Sequence, residues 1–212
     1  MIIIIGSQKG GVGKSTISIN LCAALAGQGK DVVLVDSDKQ SSSSNWAEDR
    51  AENTDLTVVN CIQKYDNIRA TLKDLGKRYE YVIVDCSGRD SKEMRTGLFA
   101  ADVLLMPVRP SQFDLDTVPH MQTITEEVKE EANPDLKFKA VISMGETNPI
   151  VKESQIAESF FSECDDIELL NTIIKERKVY RDSAFGGRGL GVVEMDNAKA
   201  KQEINSLLKE LV

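Results

Sequence analysis

Apolar residues along the chain follow two alternating patterns. Short runs rich in β-branched residues, such as Val82-Ile83-Val84, contain no polar residues, which is typical of strands buried on both faces. Longer stretches repeat apolar residues every three to four positions, which is typical of helices. The short runs predict seven strands, at Ile2–Gly6, Val32–Asp36, Leu56–Asn60, Tyr81–Asp85, Asp102–Pro107, Phe138–Ser143 and Glu168–Ile173.

Helical periodicity is clearest in three stretches, each of which places its apolar residues on one face. The first face holds Ile17, Leu21, Ala24 and Leu25, the second holds Val118, Met121, Thr125, Val128 and Ala132, and the third holds Ala200, Ile204, Leu207, Leu208 and Leu211. Strands that alternate with helices in this way predict an α/β fold with a doubly wound, mostly parallel sheet and helices on both faces.

Composition narrows the class of protein. The 212 residues are 41% hydrophobic and 28% charged, which is ordinary for a globular protein, and we expect a single domain over residues 1–212. The longest aliphatic run, Ile2–Ile5, is far shorter than the roughly 20 residues that cross a bilayer, and no basic leader precedes it. We therefore expect a cytoplasmic protein. The net charge of −8 argues against a surface that coats nucleic acid everywhere but allows a local basic patch.

The cysteines and the single histidine suggest no chemistry of their own. None of Cys22, Cys61, Cys86 and Cys164 forms a CxxC pair, so we expect reduced thiols and no zinc or dithiol site. His120 lies within an amphipathic helical pattern, where a structural or solvated role is expected.

A glycine-rich segment between the first strand and the first helix carries the strongest signal. Gly6, Gly13, Lys14 and Ser15 fit the pattern GxxxxGK[ST]. The glycines allow successive N–H groups to point inward as an anion nest at a helix N-terminus. Lys14 then supplies charge to the β- and γ-phosphates and Ser15 can ligate Mg²⁺. The predicted phosphate-binding residues are Gly10, Gly11, Val12, Gly13, Lys14, Ser15 and Thr16.

Three aspartates follow predicted strands. Asp36 and Asp38 come after the second strand, and Asp85 ends the fourth. Metal-assisted phosphoryl transfer places acidic groups at the carboxyl ends of strands, next to the phosphates. We expect Asp85 to hold Mg²⁺, directly or through water, and the neighbouring Cys86 to be simply a small residue that fits.

The segment KGGVGKST, residues 9–16, resembles the deviant Walker A motif of the ParA/MinD family of P-loop ATPases. The resemblance implies that Lys9 reaches across a dimer interface to the phosphates held by the other subunit, within an ATP-bound sandwich dimer. It also implies that Asp36 supports the metal and that Asp38 positions or activates the attacking water. The chain departs from the family pattern at Lys39, where relatives have proline, which suggests a looser switch segment.

Two further loops carry weaker resemblances. Residues 107–111, together with Asp114, resemble a loop that family members pack at the dimer interface. The segment 144–149 follows the sixth strand, and we expect it to border the adenine.

One stretch of this acidic chain is basic. Between residues 175 and 191 only Glu176 and Asp182 are acidic, and Tyr180 and Phe185 are interleaved among the cations. The stretch resembles the region of small ParA proteins that binds DNA without sequence preference. The alternative is a solvated helix face. The predicted DNA-binding residues are Lys175, Arg177, Lys178, Arg181 and Arg188.

The resemblance predicts a ParA-type ATPase for plasmid or chromosome partitioning, closest to the short class without an N-terminal helix-turn-helix domain. Its ATP-bound dimer would bind nucleoid DNA, and a ParB-like centromere-binding partner would stimulate hydrolysis and release. One alternative is a membrane-positioning ATPase like MinD, although the C-terminal helix is not markedly basic and lacks aromatic residues. Others are a metabolic relative, such as nitrogenase iron protein or dethiobiotin synthetase, or a ParA-like protein with another cargo.

Overall fold

A parallel β-sheet forms the centre of the computed structural model, which describes residues 1–88, 90–148 and 153–212. The strands in this part of the chain are β1 (Ile2–Ile5), β2 (Val32–Ser37), β3 (Asn60–Gln63), β4 (Tyr81–Cys86), β5 (Val103–Val108), β6 (Lys137–Gly145) and β7 (Glu168–Lys175). They lie in the order β3-β2-β4-β1-β5-β6-β7, and each neighbouring pair is parallel. The direction of winding reverses at β1, so a crevice is expected at its carboxyl end.

Helices cover both faces of the sheet. They are α1 (Lys14–Gly27), α2 (Ser42–Glu52), α3 (Arg69–Arg78), α4 (Lys92–Leu98), α5 (Gln112–Leu115), α6 (Val118–Glu131), α7 (Glu153–Phe161), α8 (Lys178–Ala184) and α9 (Ala198–Leu211), with a 3-10 turn at Val192–Glu194. Alternate strand residues face opposite layers. Ile3 and Ile5 pack with α1, α2, α8 and α9, whereas Ile2 and Ile4 pack with α3, α4, α6 and α7.

The predicted doubly wound α/β fold is confirmed, with two local corrections. The prediction of the third strand at residues 56–60 is wrong, because β3 starts pairing with β2 only at Asn60. Residues 57–59 have no regular secondary structure, and the carbonyl of Thr57 accepts a hydrogen bond from Arg50 of α2 over 2.7 Å. Ala132 lies just beyond the end of α6 and is exposed, so it does not continue the helical face predicted for it with Val118, Met121, Thr125 and Val128.

The C-terminal helix α9 uses its apolar face for packing within the fold. Ile204, Leu207, Leu208 and Leu211 are all less than 5% exposed and belong to the core on the α1 side of the sheet. Among the residues that the structure describes, no helix combines the length and apolar character needed to cross a bilayer.

Candidate functional site

The glycine-rich loop between β1 and α1 has the backbone geometry of an anion-binding nest. Gly11 and Gly13 adopt φ angles of +73° and +88°, in the left-handed region that glycine adopts without steric cost. Val12 between them is buried, and its carbonyl accepts a hydrogen bond from Ser143 Oγ over 2.8 Å. The loop is therefore anchored to β6 while its N–H groups stand at the N-terminus of α1, where a phosphate is favoured.

A second glycine loop packs directly on this phosphate loop. A Cβ added at Gly88, after β4, would lie 2.8 Å from both the Cα of Gly10 and the carbonyl oxygen of Lys9. The two backbones therefore approach each other more closely than any side chain would allow. The sequence analysis did not single out Gly88, although its position just beyond a strand-ending aspartate could have indicated it.

Lys14 lines the same cleft as Asp38. The side chain is buried, and Nζ donates a hydrogen bond to the carbonyl oxygen of Lys9 over 2.8 Å. Burial lowers the pKa of Lys14, and the carboxylates of Asp85 and Asp38 oppose this change by raising it. The loop thus holds an ammonium group whose charge is favoured by both acids.

Asp85 is a buried carboxylate, and one of its two oxygens has no hydrogen-bond partner among the described residues. Its Oδ2 accepts a hydrogen bond from Ser43 Oγ over 2.7 Å, whereas Oδ1 is buried and has no hydrogen-bond partner within the described chain. Burial raises the pKa of Asp85 to about 6; the hydroxyls of Ser15 and Ser43 lower this pKa and the charge of Asp36 raises it. A buried carboxylate oxygen without a partner is costly, and a cation would satisfy it.

These features fit the predicted magnesium ion. Mg²⁺ commonly takes one or two protein ligands and completes its octahedral shell with phosphate oxygens and water. Asp85 and Ser15, whose hydroxyl interacts with this carboxylate, would provide such a limited ligand set. When bound with nucleotide, the ion would neutralise phosphate charge.

Asp36 is the register partner of Asp85 across β2 and β4 and is fully buried. Its Oδ1 accepts the N–H of Asp38 over 3.0 Å, and its Oδ2 accepts the N–H of Ser44 over 2.9 Å. Asp36 therefore fixes the segment that carries Asp38 and the start of α2. A role for Asp36 in supporting the metal stays a prediction.

The cleft at the carboxyl end of the sheet has a volume of about 890 Å³. Most of its wall comes from the phosphate loop and from the segment after β2, including Asp38. Sequence reasoning missed Ser42 and Glu93, which also line it. Met144 lines the cleft with a φ of +54°, and Pro149 lies outside the described residues. The expected contact of this segment with the adenine stays a prediction.

The loop after β5 contacts the phosphate loop. The guanidinium of Arg109 donates to the carbonyl of Gly11, and Ser111 Oγ donates to Asp114 Oδ2 over 2.6 Å. Phe113 in the following helix is 78% exposed. The predicted dimer interface at this loop, and the reach of Lys9 across it, stay predictions.

The structure divides the predicted DNA-binding residues into two groups. Lys178, Arg181 and Arg188 are exposed around α8, while Lys175 is half-buried. Arg177 forms an ion pair of 2.7 Å with Glu203, with only 19% of its side chain exposed. The basic surface is therefore smaller than the sequence suggests.

Cys86 is buried and His120 is exposed. Burial raises the pKa of Cys86 strongly, which opposes the thiolate form that a redox sensor needs. His120 is on the surface, where its Nε2 lies 3.4 Å from Asp90 Oδ2.

A glycine nest at the switch point of a parallel sheet, together with a lysine and a buried carboxylate, defines a P-loop nucleotide-binding protein. Comparison with known families is more specific, since residues 3–188 match the CobQ/CobB/MinD/ParA nucleotide-binding domain. The chain belongs to this family, whose ParA and MinD members are ATPases that bind ATP with Mg²⁺. The predicted family and cofactors are confirmed.

Two relatives show the range of functions in this family. The maintenance of carboxysome distribution protein A of Halothiobacillus neapolitanus is 28% identical over 209 residues, which cover 98% of this chain and 94% of that protein. The sporulation initiation inhibitor protein Soj of Bacillus subtilis is 27% identical over 179 residues, which cover 66% of this chain and 71% of that protein.

Solved structures support the fold. Apo McdA from Cyanothece superposes with a TM-score of 0.80 at 16% identity, covering 100% of this chain and 99% of that one. McdA in complex with ATP gives a TM-score of 0.78 at 15% identity, covering 99% and 95%. MinD from Aquifex aeolicus gives a TM-score of 0.79 at 20% identity, covering 99% of this chain and 95% of that one.

Proposed function

We propose that this chain is a ParA-type positioning ATPase, which forms a sandwich dimer with ATP, binds DNA without sequence preference and leaves it after hydrolysis. The observation that carries the proposal is that Lys14 and Asp38 line one cleft at the sheet's switch point, where the charge of the buried Asp85 also acts on Lys14. The phosphate loop there also contains a second lysine, Lys9, of the deviant type.

In this proposal each residue of the cleft has one task. Loop N–H groups and Lys14 bind the β- and γ-phosphates, while Ser15 and Asp85 hold Mg²⁺. Asp38 orients the attacking water; its Oδ1 accepts the N–H of Gln40 over 3.0 Å, which fixes the direction of the carboxylate. Hydrolysis should be slow until a partner orders the segment around Lys39, because that segment lacks the proline of its relatives.

The second subunit completes the site. Lys9 would contact the phosphates held by the partner copy, so the dimer depends on ATP. Lys178, Arg181 and Arg188 are exposed in each subunit, and dimerisation would double this basic surface. Binding to phosphates through such contacts is strongly salt-dependent. We place the ATP-bound protein on the nucleoid, with a ParB-like centromere-binding partner that stimulates hydrolysis.

A second candidate keeps this chemistry but changes the cargo. The alignment with the carboxysome distribution protein runs through nearly the whole of both chains, which favours the positioning of a protein assembly on DNA. A MinD-like membrane function is less well supported, because the apolar face of α9 is packed in the core and is not available for lipid.

Co-sedimentation with DNA and light scattering test the proposal together. Dimers and DNA binding should occur with ATP or a slowly hydrolysed analogue, and not with ADP. The double variant Lys178→Ala/Arg181→Ala should weaken DNA binding and keep ATP binding. Its matched control is Lys73→Ala/Lys77→Ala, which removes two exposed lysines from α3 in the opposite layer. A monomer under saturating analogue would refute the proposal.

A further inference from the structure

The loop that follows α8 presents an aromatic side chain among basic ones. Phe185 is 78% exposed, whereas Tyr180, the other aromatic residue of this stretch, is buried and donates a hydrogen bond to Glu203. The side chains of Lys178 and Arg181 on the same short helix are 79% and 69% exposed, and they form surface ion pairs with Asp182 and Glu176. An exposed phenylalanine in such surroundings has no packing role within the subunit.

Arg188 folds back next to Phe185. The carbonyl oxygen of Asp182 accepts two hydrogen bonds, one from the N–H of Phe185 over 3.2 Å and one from Arg188 Nη2 over 3.1 Å. A shared acceptor places the guanidinium beside the backbone of the phenylalanine. Between them Gly186 and Gly187 have φ angles of +81° and +64°, a tight turn without side chains.

The base of this loop is firmly held. Three hydrogen bonds from α2 and the residue after it anchor the loop. The Gly189 carbonyl accepts one from Arg50 over 2.9 Å, and the Leu190 carbonyl accepts one from Trp46 over 3.0 Å. Asn53 donates the third to the Arg188 carbonyl over 3.2 Å. The aromatic ring is thus presented on a fixed support. Little conformational freedom of the backbone remains to be lost when the ring binds a ligand.

We propose that Phe185 and Arg188 form a base-stacking tip, so that the protein binds single-stranded DNA through nucleobases as well as through phosphates. Every base offers a π-face to an aromatic ring or a guanidinium plane, so this contact needs no sequence preference. Duplex DNA would gain less from the tip, because its bases must first be unstacked. The inference rests on the proposed DNA-binding function and adds a ligand class to it.

Fluorescence anisotropy with labelled oligo-dT and a duplex of equal length tests the tip, in the presence of a slowly hydrolysed ATP analogue. Phe185→Ala should lower the affinity for oligo-dT about tenfold, which corresponds to the loss of one stacked base. Its effect on the affinity for the duplex should be smaller. The slope of affinity against salt concentration should not change, because no phosphate contact is lost. Arg181→Ala should instead reduce that slope. Phe185→Trp should restore binding.

Ile156→Ala is the matched control, since Ile156 is 60% exposed on α7 and should leave both affinities unchanged. Equal affinities of the wild type and Phe185→Ala for oligo-dT would overturn the inference while leaving duplex binding, and the proposed function, intact. Absence of all DNA binding by the wild type would overturn both. If Phe185→Ala instead loses binding to anionic phosphatidylglycerol vesicles and keeps oligo-dT binding, the tip recognises lipid and the inference is wrong.

Discussion

Ser43 donates a hydrogen bond of 2.7 Å to Asp85, a residue 42 positions further along the chain. The next residue, Ser44, donates its N–H to Asp36 over 2.9 Å. The first turn of α2 is therefore held by two adjacent carboxylates at the edge of the nucleotide cleft. A change of charge or position at either carboxylate acts directly on this helix.

The other end of α2 contacts the loop that follows α8. Trp46 and Arg50 donate to the carbonyls of Leu190 and Gly189, and Arg50 also pairs with Glu194 over 2.6 Å. A Cβ added at Gly189 would lie 2.2 Å from the Cα of Arg50, so the two backbones are in close contact. One helix thus touches both the predicted metal site and the segment that bears Arg188.

Lys14→Ala should abolish ATP binding. The substitution removes the buried ammonium from the phosphate nest, where its charge is least screened by solvent. Isothermal titration with ATP and Mg²⁺ measures the loss. Lys30→Ala, which removes an exposed lysine on the opposite end of the fold, should bind ATP normally. Retained affinity in Lys14→Ala would mean that the phosphate loop is assigned wrongly.

Asp38→Ala should bind ATP and dimerise but hydrolyse it at least 100-fold more slowly, the range expected when a group that orients or activates water is lost. Phosphate release under saturating ATP gives the rate, and light scattering shows the dimer. The exposed Asp31→Ala serves as control and should retain the wild-type rate. Normal turnover in Asp38→Ala would mean that another residue orients the attacking water.

Asp85 should make the metal-free protein less stable as the pH rises. With a pKa of about 6 when folded and about 3.9 when unfolded, the folded state holds more protons between these values. Stability therefore falls as the pH rises through this range, and the loss is complete above about pH 6. The free energy of unfolding of Asp85→Asn should exceed that of the wild type by up to about 3 kcal/mol at pH 7.5, and this difference should shrink toward pH 4.

Urea denaturation at pH 5.0 and 7.5 without nucleotide or metal measures this difference. The same variant should lose Mg²⁺-dependent hydrolysis, because the amide is a poor ligand for the ion. Asp36→Asn is the contrasting variant: it should destabilise the protein, since both oxygens of Asp36 accept backbone N–H groups. Equal stabilities of Asp85→Asn and the wild type at pH 7.5 would contradict the prediction.

The sheet and the phosphate loop could be predicted because their signals are local. Unbroken β-branched runs identify buried parallel strands, and the spacing of Gly13, Lys14 and Ser15 identifies the nest. The third strand differs from the prediction because Val58 and Val59 belong to an apolar run that precedes β3 and has no regular secondary structure. Val58 is 56% exposed and Val59 only 2%, and Val59 belongs to the same core cluster as Trp46 and Ala47 of α2.

Features that depend on distant contacts could not be predicted. The pairing of Arg177 with Glu203 joins α9 to the start of α8, so a cation counted as part of a basic patch is partly neutralised. The burial of Arg50 could not be predicted for a similar reason. The neighbouring residues of a polar helix do not indicate that an arginine in it is fully buried. Apolar periodicity indicates which residues share one face of a helix, whereas these ion pairs depend on which helices and loops lie next to each other in the fold.

Removing one partner of the Arg50–Glu194 pair should destabilise the fold strongly. Arg50 is 0% exposed, donates to the carbonyls of Thr57 and Gly189, and lies with its guanidinium 5.3 Å from the ring centre of Trp46. Arg50→Met leaves the Glu194 carboxylate without its cation, and breaking a buried pair in this way costs about 3–5 kcal/mol. The free energy of unfolding in urea measures the change.

The exposed pair Arg78–Asp74, in which both side chains are more than half exposed, provides the matched control. Arg78→Met should cost less than about 1 kcal/mol, because water already screens this pair. If Arg50→Met and Arg78→Met lowered the unfolding free energy equally, Arg50 would not be the anchor between α2 and the loop. Since that anchor supports Phe185, a partly unfolded loop in Arg50→Met should also weaken binding to oligo-dT, whereas Arg78→Met should bind normally.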